Sequence, residues 1–254
     1  MQSHIETARS YYREMMTLIV RSGYRISIEN DMRQWKHIMQ TAPAAAGVSS
    51  IFDPEKADYQ PADAFWLRVS NEQAETVAII CDRLVQTSDF IGFVEETGMF
   101  AEPYIRHPLE EKLSGNIGHA GGLWIHPNSR KTGLSWALPR LIRSLSVIHW
   151  GVDRHCGIIL TGLAKAGFGS HIYGFPRSWL ALSGGDFRPT GQEERLFIID
   201  IDASEIARQQ TLELERFMDH GAENLVDVAA IGRQRHDQTP VSEPLPARRR
   251  MNFR

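Results

Sequence analysis

Ile5, Ala8, Tyr12, Met15 and Ile19 recur at intervals of three and four, which predicts an opening amphipathic helix that Gly23 is placed to stop. A second stripe, Ile28, Met32, Trp35 and Met39, runs to the Ala-Pro-Ala-Ala-Ala stretch at 42–46, with residues 24–28 as a competing strand candidate. Methionines and aromatic rings at this spacing read as core faces. The pattern then changes. Residues 65–69 and 76–81 are β-branched and aromatic runs around a polar Ser-Asn-Glu-Gln turn, which predicts an antiparallel hairpin. After a long stretch at 87–117 comes the apolar run 122–125, a buried strand that Pro127 ends by withholding a backbone donor. Leu134, Leu138, Leu141, Leu145 and Ile148 lie on one face of a helix, and 155–161 reads as another buried strand.

Further strands are predicted at 179–182 and 195–201, with a helix between them and the 155–161 strand, over the glycine-containing stretch 162–175. Asp202 and Glu205 form a capping pair for a helix to about Asp219, with Ile206, Leu214, Phe217 and Met218 as its apolar contacts. From residue 233 the chain turns polar, with Pro240, Pro244, Pro246 and Arg248-Arg249-Arg250, the composition of a disordered tail. The expectation is one domain over residues 1–232, with a helical part at 1–60, and a tail over 233–254.

At 254 residues and 42% hydrophobic content the chain can bury a substantial core. A formal charge of -3 and a pI near 6.4 mark no nucleic-acid-binding surface. No apolar run is long enough for a membrane span and no charged-then-apolar leader opens the chain, so neither membrane nor export is expected. Cys81 and Cys156 make no disulfide framework or zinc set, which fits a reducing, cytoplasmic setting without a metal.

The run from Ile125 to Ser135 carries the candidate chemistry. A strand end, a turn with Arg130 and Lys131, and a helix start would present unpaired N–H groups and a partial positive charge to an anion. Pro139 opens an alternative: it is suited to the first helical position, and residues 130–138 would then be plain loop.

Arg130-x-x-Gly133-x-Ser135, preceded by Ile125-His126-Pro127, resembles the R-x-x-G-x-[G/A] signature of the GNAT superfamily of N-acetyltransferases, with Ser135 where the family has Gly or Ala. The resemblance runs from about Gly118 to Phe175, where Gly174-Phe175 is similar to the family's Gly-Phe ending. It implies an α/β fold with a mixed, mostly antiparallel twisted sheet flanked by helices, here with an extra helical N-terminal part. It also implies acetyl-CoA or another acyl-CoA as co-substrate, with its pyrophosphate on Arg130, Lys131, Thr132, Gly133, Leu134 and Ser135. The pantetheine arm would lie along the strand ending in Trp124 and Ile125.

The reaction so implied is acyl transfer to an amine of a small molecule or a protein, with a base for the ammonium and an acid for the departing thiolate. His119, before the cofactor strand, is the candidate base. Tyr173 is the candidate acid, with His171 as a rival; the family tyrosine is commonly about four positions before the glycine, where this chain has Ser170. The stretch 87–117 is either a wall of the acceptor pocket or a surface elaboration. A catalytically silent module that binds acyl-CoA or a protein partner is the alternative function, and a homodimer is compatible with either.

Overall fold

The computed structural model describes residues 2–234, and the polar tail expected beyond them lies outside the described residues. The first helix, α1 (Gln2–Arg21), ends before Gly23, whose φ of 82° reverses the chain. Its buried stripe is Ala8, Tyr11, Met15, Leu18 and Ile19, so Ala8, Met15 and Ile19 are buried as expected while Tyr11 takes the place of Tyr12, which lies on the half-buried flank. Ile28 belongs to the strand alternative, β1 (Arg25–Glu29). Asp31 then caps α2 (Met32–Thr41) by accepting from the amides of Arg33 and Gln34.

The predicted hairpin is β2 (Ala64–Ser70) and β3 (Thr76–Thr87). The 87–117 stretch folds into α3 (Phe90–Glu96) and two short strands, β4 (Phe100–Ala101) and β5 (Ile105–Arg106). Next come β6 (Gly115–Ile125), α4 (Leu134–Trp150) and β7 (Arg154–Leu160). The helix expected at 162–175 is replaced by one α-turn, α5 (Thr161–Lys165), and a π-helical turn over Phe168–Ile172. Gly167, at φ 70°, separates the two and explains the break. The chain continues through β8 (Arg177–Phe187), β9 (Gln192–Asp202), α6 (Ala203–Asp219) and α7 (Leu225–Gln234). Asp202 caps α6 by accepting from Glu205, 2.9 Å away. Met218, an expected core residue, is instead 75% exposed.

The strands form one sheet in the order β1-β2-β3-β6-β7-β9-β8-β4, with β5 also on β8. Pairing is antiparallel except between β6 and β7, which the crossover through α4 makes parallel. This is the mixed, mostly antiparallel α/β architecture expected. One face packs on α1, α4, α6 and α7, the other on α2, α3 and the loop carrying Ile51 and Phe52.

Pro139 lies inside α4 and not at its start. A proline there costs about 3 kcal/mol and leaves the Ser135 carbonyl without its helical donor. Leu134, Leu138, Leu141 and Leu145, all buried on the sheet, offset this, since each contributes about 1.5–3 kcal/mol.

Candidate functional site

The parallel strands pair only from Ile117 with Arg154 to Ala120 with Gly157. Beyond that point β6 carries a bulge: three residue steps, Trp124 back to Gly121, face the two from Ile79 to Cys81 on β3. Gly122, at φ 57°, sits in the bulge, and β6 bends away from β7. A Cβ on Gly121 would lie 2.8 Å from Cζ of Phe52, and one on Gly122 would overlap the Trp35 ring. The sheet therefore opens between two strands that are both held firmly on their other edges.

A cavity of about 190 Å³ runs through this opening. That is little more than a cavity that takes a benzene ring. On the α4 face it is lined by Pro139, Leu163, Tyr173 and Phe175; on the opposite face by Trp35, Met39, Phe52, Met99 and Phe187. His119 and residues 120–123 of β6, with 157–160 of β7, form its waist. Met99 brings the 87–117 stretch into the wall of this cavity.

Beside the opening, β6 ends in a 3-10 turn over Pro127–Ser129, closed by Ser129 N–H on the His126 carbonyl at 2.8 Å. The Thr132 hydroxyl donates to the Ser129 carbonyl at 2.8 Å. Lys131 takes the left-handed conformation at φ 66°, and Gly133 follows at φ 91° as the N-cap of α4. The Gly133 carbonyl accepts from Trp136 and Ala137, both at 3.0 Å. The amides of Lys131, Thr132, Gly133, Leu134 and Ser135 find no acceptor among the described residues. Arg130 and Lys131 are exposed, with no carboxylate partner among the described residues. Free amides, a helix N-terminus and two cations make this turn electropositive. Gly133 also touches α7: a Cβ there would overlap the Leu225 carbonyl, with the carbonyl carbon at 2.8 Å.

The expected site residues thus fall into two neighbouring groups. Arg130 to Ser135 form the turn and the first residues of α4, with Leu134 directed into the core. Trp124 and Ile125 close the β6 end; their backbones pair with Ile79 and Ala78, and the Trp124 indole donates to the Pro43 carbonyl at 2.9 Å. His119 and Tyr173 both line the cavity. Ser170 and His171 lie in the π-helical turn and do not line it.

His119 is 1% exposed, stacked on Phe52 at 5.1 Å and edge-on to Phe90 at 5.3 Å. Burial, then the charges of Arg83 and His155, push its imidazole down to about 3, so it is neutral. Its Nδ1 has no partner among the described residues. Burial pushes the Tyr173 phenol up to about 12, which keeps it protonated. The Tyr173 backbone is fixed from α4. Arg143 donates to the Tyr173 carbonyl at 2.9 Å and Arg140 to the Ile172 carbonyl at 2.6 Å, while Arg140 also pairs with Glu213 on α6 at 3.0 Å. Gly174 has φ 73°, and a Cβ there would lie 2.8 Å from the Arg140 guanidinium carbon.

Sequence reasoning missed the apolar half of the cavity. Trp35 and Met39 belong to a stripe whose spacing is that of an ordinary core face, and Phe52 and Phe187 carry no local signal at all. The glycine pair 121–122, an unusual feature within a strand, was a signal that could have marked the bulge.

No protein-family model and no curated protein matches the chain. Among solved structures it is similar to NAA60 of Arabidopsis thaliana in complex with acetyl-CoA, at 12% identity over 70% of this chain and 98% of that one, with a TM-score of 0.42. Spermidine N-acetyltransferase of Vibrio cholerae, with CoA and spermine, matches at 10% identity, 73% and 98% coverage and a TM-score of 0.42. The ribosomal-protein-S5-alanine acetyltransferase of Vibrio fischeri matches at 10% identity, 72% and 94% coverage and a TM-score of 0.42.

Proposed function

We propose that this chain is a CoA-dependent N-acyltransferase, which carries an acetyl or other acyl group from an acyl-CoA to an amine. The observation that carries the reading is the cradle of unengaged amides from Lys131 to Ser135, set at the start of α4 beside the opening between β6 and β7. A diphosphate suits it, because several N–H donors, a helix N-terminus and the cations of Arg130 and Lys131 all favour negative charge. The gap where β6 and β7 stop pairing suits the thin arm of the same molecule. Beyond Ala120, the β6 edge facing the opening has no strand neighbour, so its backbone groups are available to an amide-bearing arm.

Bound acyl-CoA supplies the thioester. The chain's own residues do the rest. Arg130, Lys131 and the amides through Ser135 anchor the phosphates, and the end of β6 at Trp124 and Ile125 aligns the arm. Tyr173, protonated and held by Arg143, donates a hydrogen bond to the sulfur as it gains charge. His119, neutral, offers an acceptor to the amine hydrogens at the waist and thereby orients the nitrogen. The neutrality of His119 also favours a second reading, a catalytically silent module that binds acyl-CoA.

Two measurements separate these readings. Calorimetric titration with acetyl-CoA is expected to show binding that the double substitution R130A/K131N weakens at least tenfold without lowering the melting temperature. No heat with the parent protein removes the proposal. Thiol release from acetyl-CoA in the presence of an amine distinguishes enzyme from silent module. Tyr173→Phe is expected to lower kcat by roughly 10²-fold and leave the KM for acetyl-CoA unchanged.

A further inference from the structure

The half of the cavity remote from α4 is a chamber walled by Trp35, Met39, Phe52, Met99, Phe187 and Pro189. Its rim is half-open: Ala46 is exposed, and Gly47, Ser49 and Pro189 are partly so. A chamber that served only the end of an acyl chain arriving through the waist would need no second entrance. A second substrate, meeting the thioester from the face opposite the phosphate cradle, does need one. The rim therefore marks this half as the acceptor's.

The chamber's chemistry restricts that acceptor. Among the described residues no Asp or Glu lines the cavity, and the buried carboxylates are paired elsewhere. Asp53 is paired with Lys36, Asp82 with His155 and the Ser146 hydroxyl, Asp200 with Arg154 and Arg177, and Glu213 with Arg140 and Tyr11. The titratable groups at the walls are His119 and Tyr173. Arg83 acts on His119 by charge and disfavours a second cation, while His155, lowered by its own burial, adds none. An alkylammonium entering here would lose its water with no anion to meet it and no base to take its proton.

Resting on the acyltransferase reading, we infer that the acceptor is a weakly basic aromatic amine of the aniline type, which enters the apolar chamber uncharged and is held between Trp35, Phe52 and Phe187. An uncharged arylamine presents its lone pair without prior deprotonation, and its ring matches the aromatic walls. In the reaction the amine nitrogen forms a C–N bond with the thioester carbon, and the C–S bond breaks with its electron pair going to sulfur. One nitrogen proton leaves to solvent and one proton reaches the sulfur, giving an anilide and the free thiol, with no redox partner.

The test uses acceptors of similar size and unequal basicity: 4-methylaniline, 4-methylbenzylamine and spermidine. Acetyl-CoA binding is read by calorimetry, amine binding by calorimetry on the same protein, and turnover by thiol release between pH 6 and 9. The inference expects 4-methylaniline to bind, and to exceed 4-methylbenzylamine in kcat/KM at least about tenfold at pH 7, with a flat profile and no turnover of spermidine. Ala46→Glu, at the exposed rim, is expected to narrow that ratio by placing a carboxylate where an ammonium could pair.

Acetyl-CoA binding together with preferred turnover of 4-methylbenzylamine or spermidine, or with no binding of 4-methylaniline, overturns the inference and leaves the acyltransferase reading standing. Binding of octanoyl-CoA far tighter than acetyl-CoA, in competition with 4-methylaniline, overturns it in favour of an acyl pocket. Absence of any acetyl-CoA binding overturns both.

Discussion

Replacing Gly133 by alanine tests whether the start of α4 is built as described. Two costs add at this position. The φ of 91° is one that an L side chain tolerates poorly, at about 1–2 kcal/mol. The new Cβ would also overlap the Leu225 carbonyl, a backbone group that cannot rotate aside, so α7 must lift. Leu225 and Val228 are both fully buried, and partial exposure of the two adds about 1–2 kcal/mol. The sum is about 3 kcal/mol, or about 6–12 °C in melting temperature for a chain of this size. Gly151 supplies the control: it closes the same helix at φ 58°, and nothing lies within 4 Å of its Cβ position. Gly151→Ala should therefore cost the strain alone, about 1 kcal/mol or about 2–4 °C. Scanning calorimetry of the parent and both variants measures the difference, and titration with acetyl-CoA should show Gly133→Ala binding at least tenfold more weakly while Gly151→Ala binds normally. Equal losses of melting temperature in the two variants would refute the contact between α7 and the N-cap.

Three further expectations follow from buried charge and caps. The His119 imidazole is pushed from 6.5 to about 3 on folding, so between those pH values the unfolded chain binds the additional proton and stability falls as pH falls, by about 1.4 kcal/mol per unit. His119→Gln should remove that share of the slope in urea titrations between pH 6 and 4; an unchanged slope means that the ring is not buried as a neutral base. At Asp202 burial opposes ionisation, but the Ser204 hydroxyl, the Glu205 amide and Arg177 outweigh it and lower the carboxyl from 3.8 to about 2. Its stabilisation is present above about pH 4 and lost as pH falls toward 2, so Asp202→Asn should cost about 1 kcal/mol at pH 6, allowing for screening at this partly exposed group, and converge with the parent in acid. Asp200→Asn, which leaves Arg154, Arg177 and the Trp179 indole without their shared buried carboxylate, should cost about 3–5 kcal/mol by chemical denaturation.

Much of this molecule is readable locally. The leucines of α4, the β-rich runs of the hairpin and the Asp202 cap carry their own periodicity or hydrogen-bond chemistry, and each folds as that chemistry dictates. The errors share a cause. Tyr11 and Tyr12 are chemically equivalent on the page, and only the placement of α4 and α6 against α1 decides which is buried. Pro139 argues for a later helix start, yet the helix runs through it because a row of buried leucines outweighs one lost hydrogen bond. The helix α7 was not anticipated, since its buried positions, Leu225, Val228 and Ala229, form too short a stripe to stand out; they are stabilised by α1, α4 and α6.

The sequence by itself determined the strand-turn-helix unit around Arg130 and Gly133, because capping, turn conformation and helical spacing act between residues a few positions apart. Only the tertiary structure decided that β6 parts from β7 after Ala120, and that Trp35, Met99 and Phe187 meet across the gap with His119 and Tyr173. Packing between segments more than a hundred positions apart depends on how whole surfaces fit, and no short window of the chain records it.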